Sequence, residues 1–406
     1  MSALRPHLLT VTGQDGPGLA RRAFAALADG KVQVGDVEQV RVHGRLLLCI
    51  EVELDPADRS VVEADVAAAF AGLPVEIALA PLTESEGAGG ARQGYLVTVL
   101  ASEIDAATLE AVTGRISTCG GNIERIVRLS AYPVHSYELA VSGGELHDLR
   151  LALAEESVRC QVDIAVQVAG LHRRAKHLIV LDADSTLLQG EVIDLLAARH
   201  GCGDEVAAVT EAAMAGEIDF EQALRQRVRL LAGLDQSGLD AVRSAIVLAP
   251  GARTLVRTLK RLGYELAVVS GGFVQVIDRL VAELGIDHLA ANVLALENGV
   301  LTGELEGPVI DRAGKAAALQ RFALEAGVPL SQTIAVGDGA NDLDMLAEAG
   351  LGIAFNAKAV VRQAADTALS VPYLDAILFL LGISRDEVEL ADRADATGQV
   401  DGEVAP

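Results

Sequence analysis

The sequence predicts an α/β protein: a Rossmann-like, doubly wound parallel sheet carrying an inserted helical cap, preceded by two βαββαβ domains of the α+β kind. Three observations lead there. From about residue 176, apolar runs that break into small and acidic residues alternate with amphipathic stretches closed by glycine, as buried parallel strands alternate with helical crossovers. Ahead of them the order strand, helix, strand, strand, helix, strand occurs twice. Finally, a length of 406 residues leaves room for two to four domains at roughly 100–200 residues each. Hydrophobic residues make up 51% of the chain but aromatics only 3%, with no Trp, so the cores must be built from Ala, Val and Leu.

The first unit is expected over 1–83. HLLTVTG reads as a strand and GLARRAFAALADG as an amphipathic helix closed by Gly30. VQVGDVEQVRV and RLLLCIEVEL alternate like paired strands about a turn at His43 and Gly44; 58–70 is helical, and VEIALAPL closes the unit. Residues 84–93, small and glycine-rich, read as a linker. The second unit, 94–170, repeats the order: strand GYLVTVLA, a helix over 105–118, strands NIERIVRLS and HSYELAVSG, a helix over 145–157, and strand CQVDIAVQV.

The third unit is expected over 176–383. Its strands are HLIVLDADST, YELAVVSGG, TIAVGDGAND and GLGIAF, with helices such as ARTLVRTLKRLG and KAAALQRFALEAG between them. A helical stretch at about 191–248 is too long for a simple crossover and reads as the cap. Ligand sites in such folds lie at the carboxyl ends of the strands. Residues 384–406 hold seven acids against Arg385 and Arg393, and read as a solvated, frayed acidic tail without chemistry.

Composition excludes several function classes. Lys and Arg number 33 against 57 Asp and Glu, a net charge of −24, so no basic face for nucleic acid is expected. No apolar stretch reaches the ~18 uncharged residues of a membrane span. The opening residues do not read as a secretory signal, and Cys49, Cys119, Cys160 and Cys202 form no CxxC pair. A reducing, cytoplasmic location is the expectation.

Four motifs end strands or begin a helix in the third unit: Asp182-Ala-Asp184-Ser-Thr186, then Ser270-Gly271-Gly272, then Lys315, then Gly337-Asp338-Gly-Ala-Asn341-Asp342. Hydrolysis of a phosphate ester needs positive charge and donors around the phosphoryl oxygens, an in-line nucleophile and an acid for the leaving alkoxide. Carboxylates at i and i+2 on a strand share a face, so one can reach phosphorus while its neighbour reaches the bridging oxygen. A third carboxylate from another strand completes an all-oxygen site suited to Mg²⁺. Ser270 and Lys315 supply a hydroxyl and a cation. Singly, each motif reads more simply as a turn or a surface charge; together and in order they read as a site.

This constellation resembles the haloacid dehalogenase superfamily of phosphohydrolases across about 176–383. The resemblance implies that Asp182 attacks phosphorus and that Asp184 serves as acid and then base. It implies Mg²⁺ held by Asp182, Asp338 and the backbone carbonyl of Asp184, with Asp342 close by. Glu191, nine residues past Asp182, together with MAGEIDFEQALRQRVRLLAGL in the cap and SGGF, is similar to the phosphoserine phosphatase family. That similarity implies O-phospho-L-serine as substrate, Glu191 facing its ammonium and Arg227 its carboxylate, with Ser270, Gly271 and Asn341 completing the pocket. Met214 and Phe220 wall the cap or pack it on the core. Each βαββαβ unit resembles the ACT domain, which implies dimerisation or higher homo-oligomers and an amino-acid effector such as L-serine. In the first copy, Asp15 and Gly18 of QDGPGLA are the candidate effector residues, since glycines at a helix start can present N–H groups to a carboxylate. The second copy has ASEIDAA there, a departure from that pattern.

Two other readings compete. One is a broader phosphatase, or a phosphotransferase to an alcohol such as homoserine, on the same scaffold. The other is an amino-acid-sensing binding protein with a vestigial phosphatase fold, which predicts a damaged catalytic set.

Overall fold

A computed structural model describes residues 4–29, 32–82, 94–170, 173 and 175–396. The expected helix stop at Gly30, the 84–93 linker and the last ten residues of the expected tail lie outside them. The chain divides into two compact units, Met1–Arg92 and Gln93–Pro406.

In the first unit, strands β1 (Arg5–Gln14), β2 (Gln33–Val42), β3 (Arg45–Leu54) and β4 (Val75–Pro81) form one antiparallel sheet in the order β2-β3-β1-β4. Alternation dictates the buried face: Leu9 and Val11 of β1, and Leu48, Ile50 and Val52 of β3, sit in one core with Val62 and Val66 of the second helix. Helices α1 (Leu19–Asp29) and α2 (Arg59–Ala69) supply the other half of that core.

The second unit begins with the same order. Strands β5 (Gly94–Ala101), β6 (Asn122–Ser130), β7 (His135–Ser142) and β8 (Asp163–Val168) pair as β6-β7-β5-β8, with helices α3 (Ala106–Thr118) and α4 (Leu146–Cys160). A seven-stranded sheet follows: β9 (Leu178–Asp182), β10 (Glu265–Phe273), β11 (His288–Glu297), β12 (Val300–Glu306), β13 (Thr333–Gly337), β14 (Gly352–Phe355) and β15 (Thr367–Leu369), in the order β12-β11-β10-β9-β13-β14-β15. All neighbours are parallel except the β11–β12 pair. Strand periodicity divides the core in two: Leu178, Val180, Ala267 and Val269 face one side, Ile179, Leu181, Leu266 and Val268 the other.

Four helices lie in the cap: α5 (Val192–His200), α6 (Gly203–Met214), α7 (Phe220–Arg229) and α8 (Gln236–Ala245). Its base is closed by a two-stranded bridge in which Gln189 N–H donates to Val247 O at 2.8 Å and Ala249 N–H to Leu187 O at 2.9 Å. Helices α9 (Ala252–Arg261), α10 (Val274–Leu284), α11 (Arg312–Glu325), α12 (Leu343–Glu348), α13 (Ala359–Ala364) and α14 (Ile377–Leu380) complete the two layers around the sheet.

The β5–β8 sheet is docked on this domain. Leu100, Leu129, Val134 and Ala165 share a core with it. Asp163 accepts from Ser370 N–H at 2.5 Å, Gln167 Nε2 donates to Leu380 O at 2.8 Å, and Arg173 bridges Glu138 (2.6 Å) and Leu380 O (3.0 Å).

One expectation is corrected. Part of the supposed frayed tail is a helix, α15 (Arg385–Ala396). Its acids face cations from a distant segment: Asp392 pairs with Arg257 at 2.5 Å and Arg261 at 2.7 Å, and Asp395 pairs with Arg261. Val388 is buried. The acids of 386–395 are thus in part a docking face.

Candidate active site

The site forms where β9, β10 and β13 end at the same edge of the sheet. β9 delivers Asp182 at its last position, 3% exposed. The chain then turns tightly, with Leu188 N–H donating to Ala183 O at 2.9 Å and Ser185 at φ 58°, a left-handed conformation that non-glycine residues adopt at a cost. This turn aims Asp184 back into the site. Its Oδ1 accepts from Val192 N–H at 2.7 Å and its Oδ2 from the Ser270 hydroxyl at 3.2 Å. Gly272 approaches so closely that a Cβ there would lie 2.9 Å from Asp184 Oδ2.

Lys315, in the first turn of α11, is 1% exposed and donates to Asp182 Oδ1 and Asp342 Oδ1, both at 2.6 Å. Asp338 directly follows β13, and its Oδ1 accepts from the Thr186 hydroxyl at 3.3 Å. Asp342 folds back under the loop, accepting from Gly339 N–H at 2.9 Å; a Cβ on Gly337 would lie 2.4 Å from its carboxyl carbon. Carboxylate oxygens of Asp182, Asp338 and Asp342 all lie within 4.8 Å of one another.

Crowded acids in a poorly solvated cleft resist ionising. Burial raises Asp182 well above its ordinary range; Lys315 opposes the shift, and Asp342 and Asp184 add to it. Burial likewise raises Asp184, and with Asp342 it pushes Asp338 up to about 6. Lys315 goes the other way: burial disfavours its charge, but Asp182 and Asp342 outweigh burial and hold it protonated. The donor set is all oxygen, clustered and short of positive charge, which fits a hard divalent cation.

Above the acids lies a cavity of about 300 Å³. The cap contributes Glu191, Phe220 and Arg227 to its wall; the core contributes Asp182, Asp184, Gly271, Asp338 and Asn341. Glu191 precedes α5 and accepts from the Ser185 hydroxyl at 3.4 Å. It is open to the cavity yet ringed by protein, and this crowding, then Asp184 and Asp338, raises it to about 7. On α7, Arg225 pairs with Glu221 at 2.7 Å and Arg229 with Glu304 at 3.7 Å, so helical spacing leaves Arg227 to turn into the cavity. Its buried Nε has no hydrogen-bond partner among the described residues. Burial lowers its pKa, and Glu191, Asp194 and Asp184 counter that.

Phe220 lines the cavity, whereas Met214 is 72% exposed on the cap surface and is not among the lining residues. Two contributors were not assigned from sequence. Thr186 lies within the first motif, but nothing in the sequence signals its bond to Asp338. Lys358, exposed at the cavity rim and with no ion pair among the described residues, sits in NAKAVV without a motif to flag it. In the first unit, Asp15 and Gly18 line a separate hollow of about 440 Å³, where Asp15 pairs with Arg41 at 2.8 Å.

Fold and site define a class, the haloacid dehalogenase-like hydrolases, and that family matches residues 179–347; the ACT domain matches 5–77 and 94–167. The chain is 54% identical over 388 residues to a phosphoserine phosphatase of Streptomyces coelicolor, covering 95% of this chain and 94% of that one. It is 48% identical over 394 residues to a phosphoserine phosphatase of Mycobacterium tuberculosis, covering 96% of each. The unliganded crystal structure of a probable phosphoserine phosphatase from Vibrio cholerae superposes with a TM-score of 0.57 at 32% identity, over 73% of this chain and 88% of that one. The chain belongs to the phosphoserine phosphatase family.

Proposed function

We propose that this protein hydrolyses O-phospho-L-serine to L-serine and phosphate through an aspartyl-phosphate on Asp182. The observation that carries the proposal is the pairing of opposite walls in one cavity. A buried nucleophile and acid cluster lies on the core side; on the cap side lie the Glu191 carboxylate and the Arg227 guanidinium, whose buried Nε has no hydrogen-bond partner among the described residues. Phosphoserine presents a phosphate to the first wall, and an ammonium and a carboxylate to the second.

An oxygen of Asp182 attacks phosphorus as the bond to the serine oxygen breaks. Asp184, whose pKa burial raises, gives a proton to the departing alkoxide. Water then attacks the phosphorus of the acyl phosphate, Asp184 takes its proton, and Asp182 and inorganic phosphate are released. Lys315 and the Ser270 hydroxyl bind phosphoryl oxygens. Mg²⁺ would be held by Asp182, Asp338 and the Asp184 carbonyl, with Asp342 adjacent, and would offset charge on the phosphoryl group. Glu191 takes the substrate ammonium, Arg227 its carboxylate, and Gly271 and Asn341 close the pocket.

The two ACT domains suggest amino-acid regulation. We assign homo-oligomerisation to these domains and L-serine feedback to the hollow at Asp15 and Gly18; unchanged serine inhibition in Gly18→Ala would remove that hollow from the account. No helix among the described residues is long and apolar enough to cross a membrane. We assign the reaction to the cytoplasm.

Phosphate release from phosphoserine, phosphothreonine and an aryl phosphate, with Mg²⁺ and after chelation, tests the reading. Preference for phosphoserine, loss on chelation and loss in Asp182→Asn are expected. Equal turnover of all three substrates would favour a general phosphatase, and transfer to an added alcohol a phosphotransferase.

A further inference from the structure

We infer that Asn292 is a positioning residue that holds the Ser270-Gly271-Gly272 segment and the start of the Lys315 helix in register, an inference resting on the phosphatase reading above. Strands β10 and β11 pair at Val269 with Ala290 and again at Phe273 with Asn292. Between them, three residues of β10 face one of β11, so Ser270, Gly271 and Gly272 bulge out of the ladder. Bulges beside active sites re-aim side chains, and they also forfeit ladder hydrogen bonds.

Asn292 replaces what the bulge loses. Its side chain is 2% exposed, and Nδ2 donates to Gly271 O at 2.8 Å. Its Oδ1 accepts from Ile310 N–H at 2.8 Å. A carbonyl on one side and an N–H on the other fix which end of the amide points where. With the Gly271 carbonyl held by Asn292, Gly272 N–H donates to Ser270 Oγ at 2.7 Å, and that hydroxyl reaches Asp184 Oδ2 at 3.2 Å. On the other side, Ile310 precedes Asp311, which caps α11 through Gly314 N–H at 2.7 Å, four residues before Lys315. One buried amide therefore ties together the two segments whose hydroxyl and ammonium must meet the same phosphoryl group. No aliphatic residue can do this, and a carboxylate can do only half of it.

The test uses the full chain with Mg²⁺ and phosphoserine. Asn292→Asp at pH 8 keeps an acceptor for Ile310 and removes the donor to Gly271; Asn292→Leu removes both. Leu259→Ala, a core truncation in α9 with no part in the site, controls for lost stability. Both Asn292 variants should lose about tenfold to hundredfold in kcat per folded molecule, the scale of a misplaced catalytic group, with KM moving less. The Leu259 variant should unfold at lower temperature and keep its kcat. If kcat in a folded Asn292 variant stays within about twofold of wild type, the inference falls. One folded variant decides; failure of both to fold also overturns it, because Asn292 would then determine the fold and not the placement of the motif. Absence of turnover in the wild-type protein would instead sink the phosphatase reading.

Discussion

Lys315 donates to Asp182 at 2.6 Å where neither residue is more than 3% exposed, and the same ammonium reaches Asp342 at 2.6 Å. A lone buried cation between two buried acids sets the electrostatics of the whole cleft. Replacing Lys315 by Met removes the charge and keeps the volume, leaving Asp182 and Asp342 buried without compensation. Breaking a buried pair from one side costs about 3–5 kcal/mol. Lys315→Met should lose stability on that scale in urea unfolding and lose turnover. Adding Asp182→Asn should restore part of the stability and none of the turnover; strictly additive losses would mean that the two groups do not interact.

Metal binding at this cluster should depend on pH in the direction set by the shifts of its acids. Asp338 rises from 3.8 to about 6 in the folded chain, so the folded state holds its proton more tightly than the unfolded state does. Its contribution is favourable below the unfolded pKa and fades as pH rises through about 4 to 6, leaving a penalty above that window. A bound divalent cation cancels the penalty. The rise in melting temperature on adding Mg²⁺ should therefore be larger at pH 7.5 than at pH 5, and should shrink in Asp338→Asn. An increment independent of pH would show that the cation binds elsewhere.

Much of this was legible in the sequence because buried parallel strands are continuous apolar runs. The ends of LIVLD and TIAVG mark themselves, and Asp182 and Asp338 stand at those ends. What escaped depends on contacts across the chain. Asp392 looked like one charge in an acidic run, and only the fold brings Arg257 and Arg261 to it. Asn292 is the one polar residue within the apolar run of residues 289–296, with nothing to flag that a bulge lies opposite. The β11–β12 hairpin was missed for a poorer reason: Asn298-Gly299 is a turn signal, and both residues do take positive φ, 52° and 79°.

Arg173 is 8% exposed and joins Glu138 of the second ACT domain to the Leu380 carbonyl of the phosphatase domain. Arg173→Met should loosen that seam without touching the cavity. The expected loss is about 3–5 kcal/mol, because Glu138 is left largely buried and unpaired. The variant should be cut sooner by protease near residues 168–176, with kcat intact. Equal protease resistance would mean that the apolar seam around Leu100 and Val134 suffices.

Substrate selection should reside in Arg227 and Glu191, and the two can be separated by pH. A charge-assisted hydrogen bond contributes about 1.5–3 kcal/mol, so Arg227→Ala should raise KM for phosphoserine by roughly tenfold to a hundredfold. It should leave an aryl phosphate, which has no carboxylate to lose, nearly unaffected. Glu191 is raised from 4.5 to about 7, so near pH 6 it is mostly neutral and attracts an ammonium poorly. As pH rises through 7 it ionises, and 1/KM for phosphoserine should climb across that interval. 3-Phosphooxypropanoate, which carries the same phosphate and carboxylate at the same spacing but no ammonium, shares any titration of the phosphate and lacks this added rise. In Glu191→Gln the two substrates should show parallel pH curves. If phosphoserine and 3-phosphooxypropanoate already run in parallel in the wild-type protein, Glu191 does not read the ammonium.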